Sequence, residues 1–182
     1  EMRSNAVKAL IVACIFMLFY IWFRFKDIRF AGSAIIALVR DVLVMLTGYA
    51  LIRISVGNTF IACILTIVGY SINDTIVIFD RIRENMQGMK KQTPETLAEV
   101  ANRSLTQTLS RSLNTSITTI IMVLLLFILG VSSIREFALP LMIGLISGTY
   151  SSIFIAAALW YVMKLHLGKD KLMKAAAKTK KK

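Results

Sequence analysis

The sequence has 182 residues, of which 57% are hydrophobic, with a mean hydropathy of +0.70 and a formal net charge of +12. A soluble domain is about 45–50% apolar, so the excess, which lies in long runs, indicates a membrane protein. The basic residues lie in loops and a tail beside these runs, so we expect anionic lipid headgroups as their partners and no nucleic acid.

The cysteine and histidine content argues against a disulfide framework or a metal site. Cys14 and Cys63 lie in separate apolar runs, and His166 is the single histidine. No metal-ligand spacing is present, and we expect neither a metal nor a cofactor.

Five apolar segments are long enough to cross a membrane, since a span needs about 20 residues. In chain order they are Asn5–Phe23, Phe30–Ile52, Thr59–Phe79, Ser112–Gly130 and Phe137–Met163. The predicted fold is therefore all-α: a polytopic bundle of five transmembrane helices over residues 1–163, followed by a basic tail over residues 164–182. No small-residue cleavage site follows the first run, so we do not interpret it as a signal peptide. The abrupt start at Glu1 suggests that a preceding segment is absent.

The distribution of lysine and arginine predicts the orientation of the spans. The first and third links and the tail are richer in basic residues than the N-terminus and the second and fourth links. We therefore expect the N-terminus outside and the C-terminus in the cytoplasm.

The link over residues 80–111 is predicted to hold a cytoplasmic amphipathic helix. Thr93-Pro94-Glu95 reads as an N-cap followed by proline at the first helical position. Apolar residues then recur at helical spacing: Leu97, Val100, Ala101, Leu105 and Leu109. We expect this helix to lie at the membrane surface and to run into the fourth span. For the tail, a solvated charge run and specific lipid contact remain open.

Asp74 lies in the third predicted span, where a charge facing lipid costs about 2.5–3.5 kcal/mol. It is therefore expected to face a protein interior or a hydrated cavity. Tyr70, one turn earlier, lies on the same face and could hydrogen-bond there. A carboxyl in such a setting can carry a proton, and the alternative is a static ion pair.

Arg111 opens the fourth span, whose first turns are polar and include Thr115. This pattern suits a helix that lines a hydrated cleft. Because the third and fourth spans run antiparallel, Asp74 and Arg111 are expected to lie at similar depth and to meet. Arginine would then act as a fixed counter-charge. The alternative is an interfacial arginine bound to lipid phosphate.

Two further features concern packing more than proton transfer. Arg40 and Asp41 lie near the middle of the second span. Since adjacent residues point about 100° apart, we expect that the two charges do not neutralise each other directly and that each needs a partner on another helix. Structural pairing is favoured over a proton role for Asp41. In the fifth span, Gly144, Gly148 and Ser151 place small groups on one face and favour close helix packing.

Three segments closely resemble the SecF family of protein-export membrane proteins. They are Thr66–Asn85, with Tyr-Ser-Ile-Asn-Asp at its centre, Ser104–Ser116, and Gly144–Ala156. The similarity runs from the first span to the fifth.

The resemblance implies a fold of the resistance-nodulation-division (RND) type with six spans, of which this chain matches the second to the sixth. It implies a cell-membrane protein that works with SecD, the SecYEG channel and the SecA motor on exported preproteins and uses the flow of protons. By position, it assigns proton conduction to Asp74 and Arg111. Many relatives carry histidine where this chain has Arg40, whereas Asp41 matches the family.

Other functions compete with this one. A half-transporter for lipids or drugs would share the fold class, and a structural scaffold for the channel would need no proton transfer. An intramembrane enzyme is not expected, because no span contains a Ser/His pair or an HExxH motif.

Overall fold

The computed structural model describes residues 2–25, 27–53, 58–87, 89 and 93–167, and these residues form helices with no strand. The helices are α1 (Met2–Phe25), α2 (Ile28–Ile52), α3 (Asn58–Gln87), α4 (Pro94–Leu129), α5 (Ser132–Tyr150) and α6 (Ala157–Leu167), with a π-helical segment (Ser151–Ala156) joining α5 to α6. Lys90 and Lys91 of the basic third link, the predicted tail beyond Leu167 and the side chain of Cys14 lie outside the described residues.

The predicted all-α membrane bundle is confirmed. Four helical stretches are long and apolar enough to cross a membrane: Ile28–Ile52, Thr59–Gln87, Pro94–Leu129 and Ser132–His166. The first predicted span corresponds to α1, which has a shorter apolar stretch, Ile15–Phe25. At about 1.5 Å per residue, the 30 residues of α3 and the 36 of α4 exceed the hydrocarbon thickness of about 30 Å.

The excess length of α3 and α4 lies at one end of the bundle, where α1, α3 and α6 end and α2 and α4 begin. We call this the basic end, because it holds Arg24, Arg29, Arg81, Arg83 and Arg103. The third span was predicted to stop at Phe79, but its helix runs on to Gln87.

The predicted amphipathic segment is the first part of α4, and it runs into the fourth span as expected. Thr93 forms a capping box with Thr96, and Pro94 takes the first helical position, as the sequence predicts. Leu97 is fully buried, and Asn85 of α3 donates to Ser104 at 2.8 Å. The segment therefore packs lengthwise along the extended end of α3.

Aromatic side chains join the helices near the basic end. Phe30 of α2 lies 5.0 Å from Phe25, 5.0 Å from Phe79 and 5.3 Å from Trp160, measured between ring centroids. All four side chains are buried. At the rim, Arg24 pairs with Asp80 at 3.1 Å, so the same end is also held by charge.

The middle of the bundle is held by close approach of α5 to α2 and α3. Gly144 lies against Ile67 of α3, whose side chain occupies the space that a Cβ would need. Gly148 lies beside Ser71, and Ser151 donates to the carbonyl oxygen of Ala37 at 3.4 Å. Small residues here let the polar groups of three helices meet in the apolar interior.

Candidate functional site: two buried carboxylates

Asp74 of α3 is buried, with 8% of its surface exposed. Its Oδ1 accepts a hydrogen bond from the Ser112 hydroxyl of α4 at 2.5 Å. Its Oδ2 has no hydrogen-bond partner among the described residues. A buried oxygen without a partner is uncommon and marks a place where a proton or a water molecule can be accommodated.

Tyr70 lies one turn from Asp74 and bonds to the same neighbouring helix. Its hydroxyl donates to the Ser116 hydroxyl at 2.9 Å, and Ser116 in turn lies 2.8 Å from the Thr149 hydroxyl of α5. Tyr70 and Asp74 thus face Ser116 and Ser112, which sets the antiparallel register of α3 and α4. The tyrosine borders the aspartate but bonds to serine.

Arg111 does not form the direct ion pair with Asp74 that the sequence suggested. No nitrogen of Arg111 lies within 4.0 Å of a carboxylate oxygen in the described chain, and the residue is exposed. Arg111 nevertheless directly precedes Ser112, which bonds Asp74, so its positive charge lies on the adjoining turn of α4. Arg111 and Asp74 do not pair because Ser112 faces α3, and Arg111, as the preceding residue, points about 100° away from it.

Thr115 shares the exposed face of α4 with Arg111, and its hydroxyl donates to the Arg111 carbonyl oxygen at 2.9 Å. The hydroxyls that reach the buried site belong to Ser112 and Ser116, which the sequence analysis did not select. A signal was present, because these two serines continue a four-residue spacing from Ser104 and Thr108.

Asp41 of α2 is fully buried, with no exposed surface. Its Oδ2 accepts from the Ser71 hydroxyl of α3 at 2.8 Å. Its Oδ1 accepts from the Ser147 hydroxyl of α5 at 3.3 Å and from Arg40 Nη1 at 3.1 Å. Both oxygens are therefore occupied, and the carboxylate ties three helices together.

The expectation that Arg40 and Asp41 do not neutralise each other is wrong. The two side chains form an ion pair at 3.1 Å, because the long arginine side chain bends back to its neighbour. Arg40 also meets the expected need for a partner on another helix. It donates to the Ser147 carbonyl oxygen at 3.0 Å and lies over the Tyr150 ring at 5.4 Å.

Hydroxyl groups connect the surroundings of the two carboxylates. Ser152 of the π-helical segment donates to the Ser71 carbonyl oxygen at 3.2 Å and lies 3.0 Å from the Thr75 hydroxyl. Ser71 bonds Asp41, and Thr75 follows Asp74 in α3. The surroundings of the two carboxylates therefore share one group of hydrogen-bonded hydroxyls.

The chemistry this arrangement can perform is proton binding at Asp74. One oxygen is held by a serine, the other is available, and a fixed positive charge lies nearby. Among the described residues, no group of three or more His, Cys, Asp or Glu side chains lies together as a metal site would need.

Comparison with known proteins gives a consistent result. The profile of the family described as "Protein export membrane protein SecD/SecF, C-terminal" matches residues 1–166. The protein translocase subunit SecF of Alicyclobacillus acidocaldarius is 48% identical over 160 residues, which are 88% of this chain and 52% of that protein. The protein translocase subunit SecDF of Bacillus subtilis is 45% identical over 164 residues, which are 90% of this chain and 22% of that protein.

A crystal structure of SecDF from Thermus thermophilus, described as a translocon-associated membrane protein, superimposes with a TM-score of 0.83 at 44% identity. The match covers 90% of this chain and 22% of that one. The chain therefore spans about half the length of the SecF relative and about a fifth of the SecDF relatives.

Proposed function

The chain belongs to the SecD/SecF protein-export family, and from this premise we propose that it couples the proton-motive force to protein export as part of a Sec translocase subunit. The observation that carries the proposal is the buried carboxylate of Asp74 with one unpartnered oxygen. A group that must bind and release a proton inside the membrane needs such an oxygen, whereas a purely structural carboxylate is expected to have both oxygens paired.

In this proposal, Asp74 carries the proton. When it is protonated, the carboxyl is neutral and suits its apolar surroundings. When it is ionised, the charge of Arg111 compensates it, because arginine stays protonated at every accessible pH. Tyr70 keeps α3 in register with α4 beside the site, and Thr115 lies next to Arg111 on the exposed face. Asp41 holds helices together, and its part in proton transfer is secondary to this structural role.

The partners and the location are also proposals. Relatives that carry the name SecDF join this region and a SecD part in one chain, which supports SecD as the partner. We propose that the assembly works with the SecYEG channel and SecA on preproteins in the cell membrane. The excess of arginine at the basic end supports a cytoplasmic position for that end, next to anionic lipids, with the N-terminus outside.

The test is export of a reporter preprotein in cells depleted of the native subunit. The full-length protein is compared with its Asp74→Asn variant, with and without a proton gradient. We expect Asp74→Asn to abolish the part of export that depends on the gradient, since amides do not titrate. Loss of a proton-transfer group typically costs about a hundredfold in rate.

Asp80→Asn is the matched control. It exchanges the same atoms on the same helix, but Asp80 is 39% exposed at the basic end and pairs with Arg24. It should export like the parent. If Asp74→Asn also exports like the parent while assembling normally, the proton role is refuted, and a structural scaffold becomes the better account.

A further inference from the structure

A row of four buried hydroxyls lines the face of α4 that packs on α3. Ser104, Thr108, Ser112 and Ser116 follow one another at intervals of four residues and are at most 7% exposed. Each therefore lies one turn from the next along the same contact. We call this row, together with the α3 surface opposite it, the α3/α4 seam.

Asp74 meets this seam at Ser112, which donates to its Oδ1. Its buried Oδ2 has no hydrogen-bond partner among the described residues. From Ser112 the row continues through Thr108 to Ser104, which is about 12 Å towards the basic end at the helical rise of about 1.5 Å per residue.

At the basic end, the seam opens into a polar cleft of about 450 Å³ between the extended ends of α3 and α4. Its lining includes Glu84, Asn85, Glu99 and Arg103. Asn85 donates to the Ser104 hydroxyl at 2.8 Å, so the last hydroxyl of the row touches the wall of the cleft. The cleft is large enough for several water molecules.

Two isoleucines interrupt the polar row between Asp74 and the cleft. Ile78 and Ile82 are fully buried. The bonds Asp74–Ser112 and Asn85–Ser104 fix the register, which places Ile78 opposite Thr108 and Ile82 between Thr108 and Ser104. The Thr108 hydroxyl donates to the Ser104 carbonyl oxygen at 2.9 Å, so in this structure it is turned to its own helix.

We propose that the α3/α4 seam is the route by which the proton leaves Asp74 for the cleft at the basic end, with Ile78 and Ile82 as its gate. This inference rests on the proposed function. When α3 and α4 separate slightly, water enters beside the hydroxyls. The O–H bond of the Asp74 carboxyl then breaks, and the proton passes to water and on to the cleft. The carboxylate that remains is compensated by Arg111, while Glu84 and Glu99 at the mouth attract the departing proton.

The experiment measures proton flux through the full-length protein with its proposed partner chain in liposomes that enclose a pH-sensitive dye. Thr108→Val removes the central hydroxyl and keeps the side-chain size. We expect the flux to fall about tenfold, which corresponds to one lost hydrogen bond to a charged species. Ile82→Thr adds a hydroxyl at the gate and should raise the flux.

Thr106→Val is the matched control for Thr108→Val. Thr106 makes the same bond to its own helix, donating to the Asn102 carbonyl oxygen at 2.9 Å, but it lies on the exposed face. It should leave the flux unchanged. Both variants are compared for assembly first, so that a folding defect is separated from a transport defect.

The outcomes distinguish this inference from the function on which it rests. If Asp74→Asn stops the flux but Thr108→Val equals Thr106→Val, and Ile82→Thr equals the parent, the proton uses another route and the inference is overturned alone. If Asp74→Asn conducts like the parent, both proposals are overturned. A selective loss in Thr108→Val, with a gain in Ile82→Thr, supports the seam.

Discussion

Asp41 and Asp74 are buried carboxylates within apolar helices of one bundle, and they differ in how their oxygens are occupied. Asp41 has partners on both oxygens, including a cation at 3.1 Å, and no exposed surface. Among the described residues, Asp74 has one serine on Oδ1, no partner on Oδ2 and no ion pair, and Arg111 lies on the exposed face of α4. This difference is the basis for our proposal that Asp74 changes its protonation state, whereas Asp41 stays paired with its neighbours.

This comparison has a physical basis in the cost of burying charge. A desolvated carboxylate is tolerated only when donors and a counter-charge surround it. Asp41 meets that condition with Arg40, Ser71 and Ser147 on three helices. Asp74 has one serine donor and no ion pair among the described residues, so we expect its site to accommodate the protonated carboxyl as well.

Arg40→Gln should destabilise the bundle strongly. It leaves the buried Asp41 carboxylate without its cation. Because the Arg40 side chain is 34% exposed, we expect a cost of about 3 kcal/mol, the lower end for a buried pair. The free energy of unfolding of the full-length chain in detergent micelles at neutral pH measures the effect. The double variant Arg40→Gln/Asp41→Asn should regain much of the loss, because no unpaired charge then remains.

Arg111→Gln is the matched control for that prediction. The same atoms are exchanged on the exposed face near Asp74, where a charge contributes at most about 1 kcal/mol. Its stability should stay near that of the parent. Equal destabilisation by Arg111→Gln and Arg40→Gln would contradict the proposed difference between Asp41 and Asp74. Both carboxylates would then depend on a fixed counter-charge for folding.

Gly144→Ala should have a moderate effect through the packing that closes the Asp41 site. The new Cβ would overlap the Ile67 side chain of α3, and overpacking of this kind costs about 1–3 kcal/mol. Because Ser147 lies one turn further along α5, the shift also loosens its bond to Asp41. The unfolding free energy of the full-length chain is again the measurement.

Two variants check that the effect comes from this contact. Gly69→Ala introduces the same methyl group on α3, where nothing lies within 4 Å, and should be neutral or stabilising by up to about 1 kcal/mol. Gly144→Ala/Ile67→Ala should recover part of the loss. No recovery would mean that the glycine serves another purpose than contact with Ile67.

The sequence predicted those features of the fold and site that depend on composition along the chain. Apolar runs located the helices to within a few residues, apart from the extension of α3 to Gln87 and the earlier start of α5. The cost of a charge in lipid singled out Asp74. The motifs around it indicated the family, which the comparisons show.

The features that depend on helix rotation and side-chain reach were not predicted. The sequence analysis named Thr115, and choosing Ser112 instead would have required knowing which face of α4 meets α3. The Arg40–Asp41 pair was missed because Cβ directions alone do not describe a side chain as long as arginine. The π-helical segment Ser151–Ala156 was not predicted either.

Ser112→Ala and Ser71→Ala should give the smallest effects on stability and the sharpest test of the comparison. Each removes one hydroxyl donor to a buried carboxylate. Hydrogen bonds inside membrane proteins contribute about 0.6 kcal/mol on average and about 1.7 kcal/mol at most, so both variants should fold. Gradient-dependent export should fall in Ser112→Ala, because Asp74 loses its only described hydrogen-bond donor.

Ser71→Ala should export like the parent, since Asp41 keeps Arg40 and Ser147 and is not required to change its charge. Unfolding free energy and export are measured on the same preparations, with Ser110→Ala on the exposed face of α4 as the control. If Ser71→Ala lowers export as much as Ser112→Ala at equal stability, then Asp41 takes part in proton transfer. Asp41 and Asp74 would then both bind and release protons along one pathway.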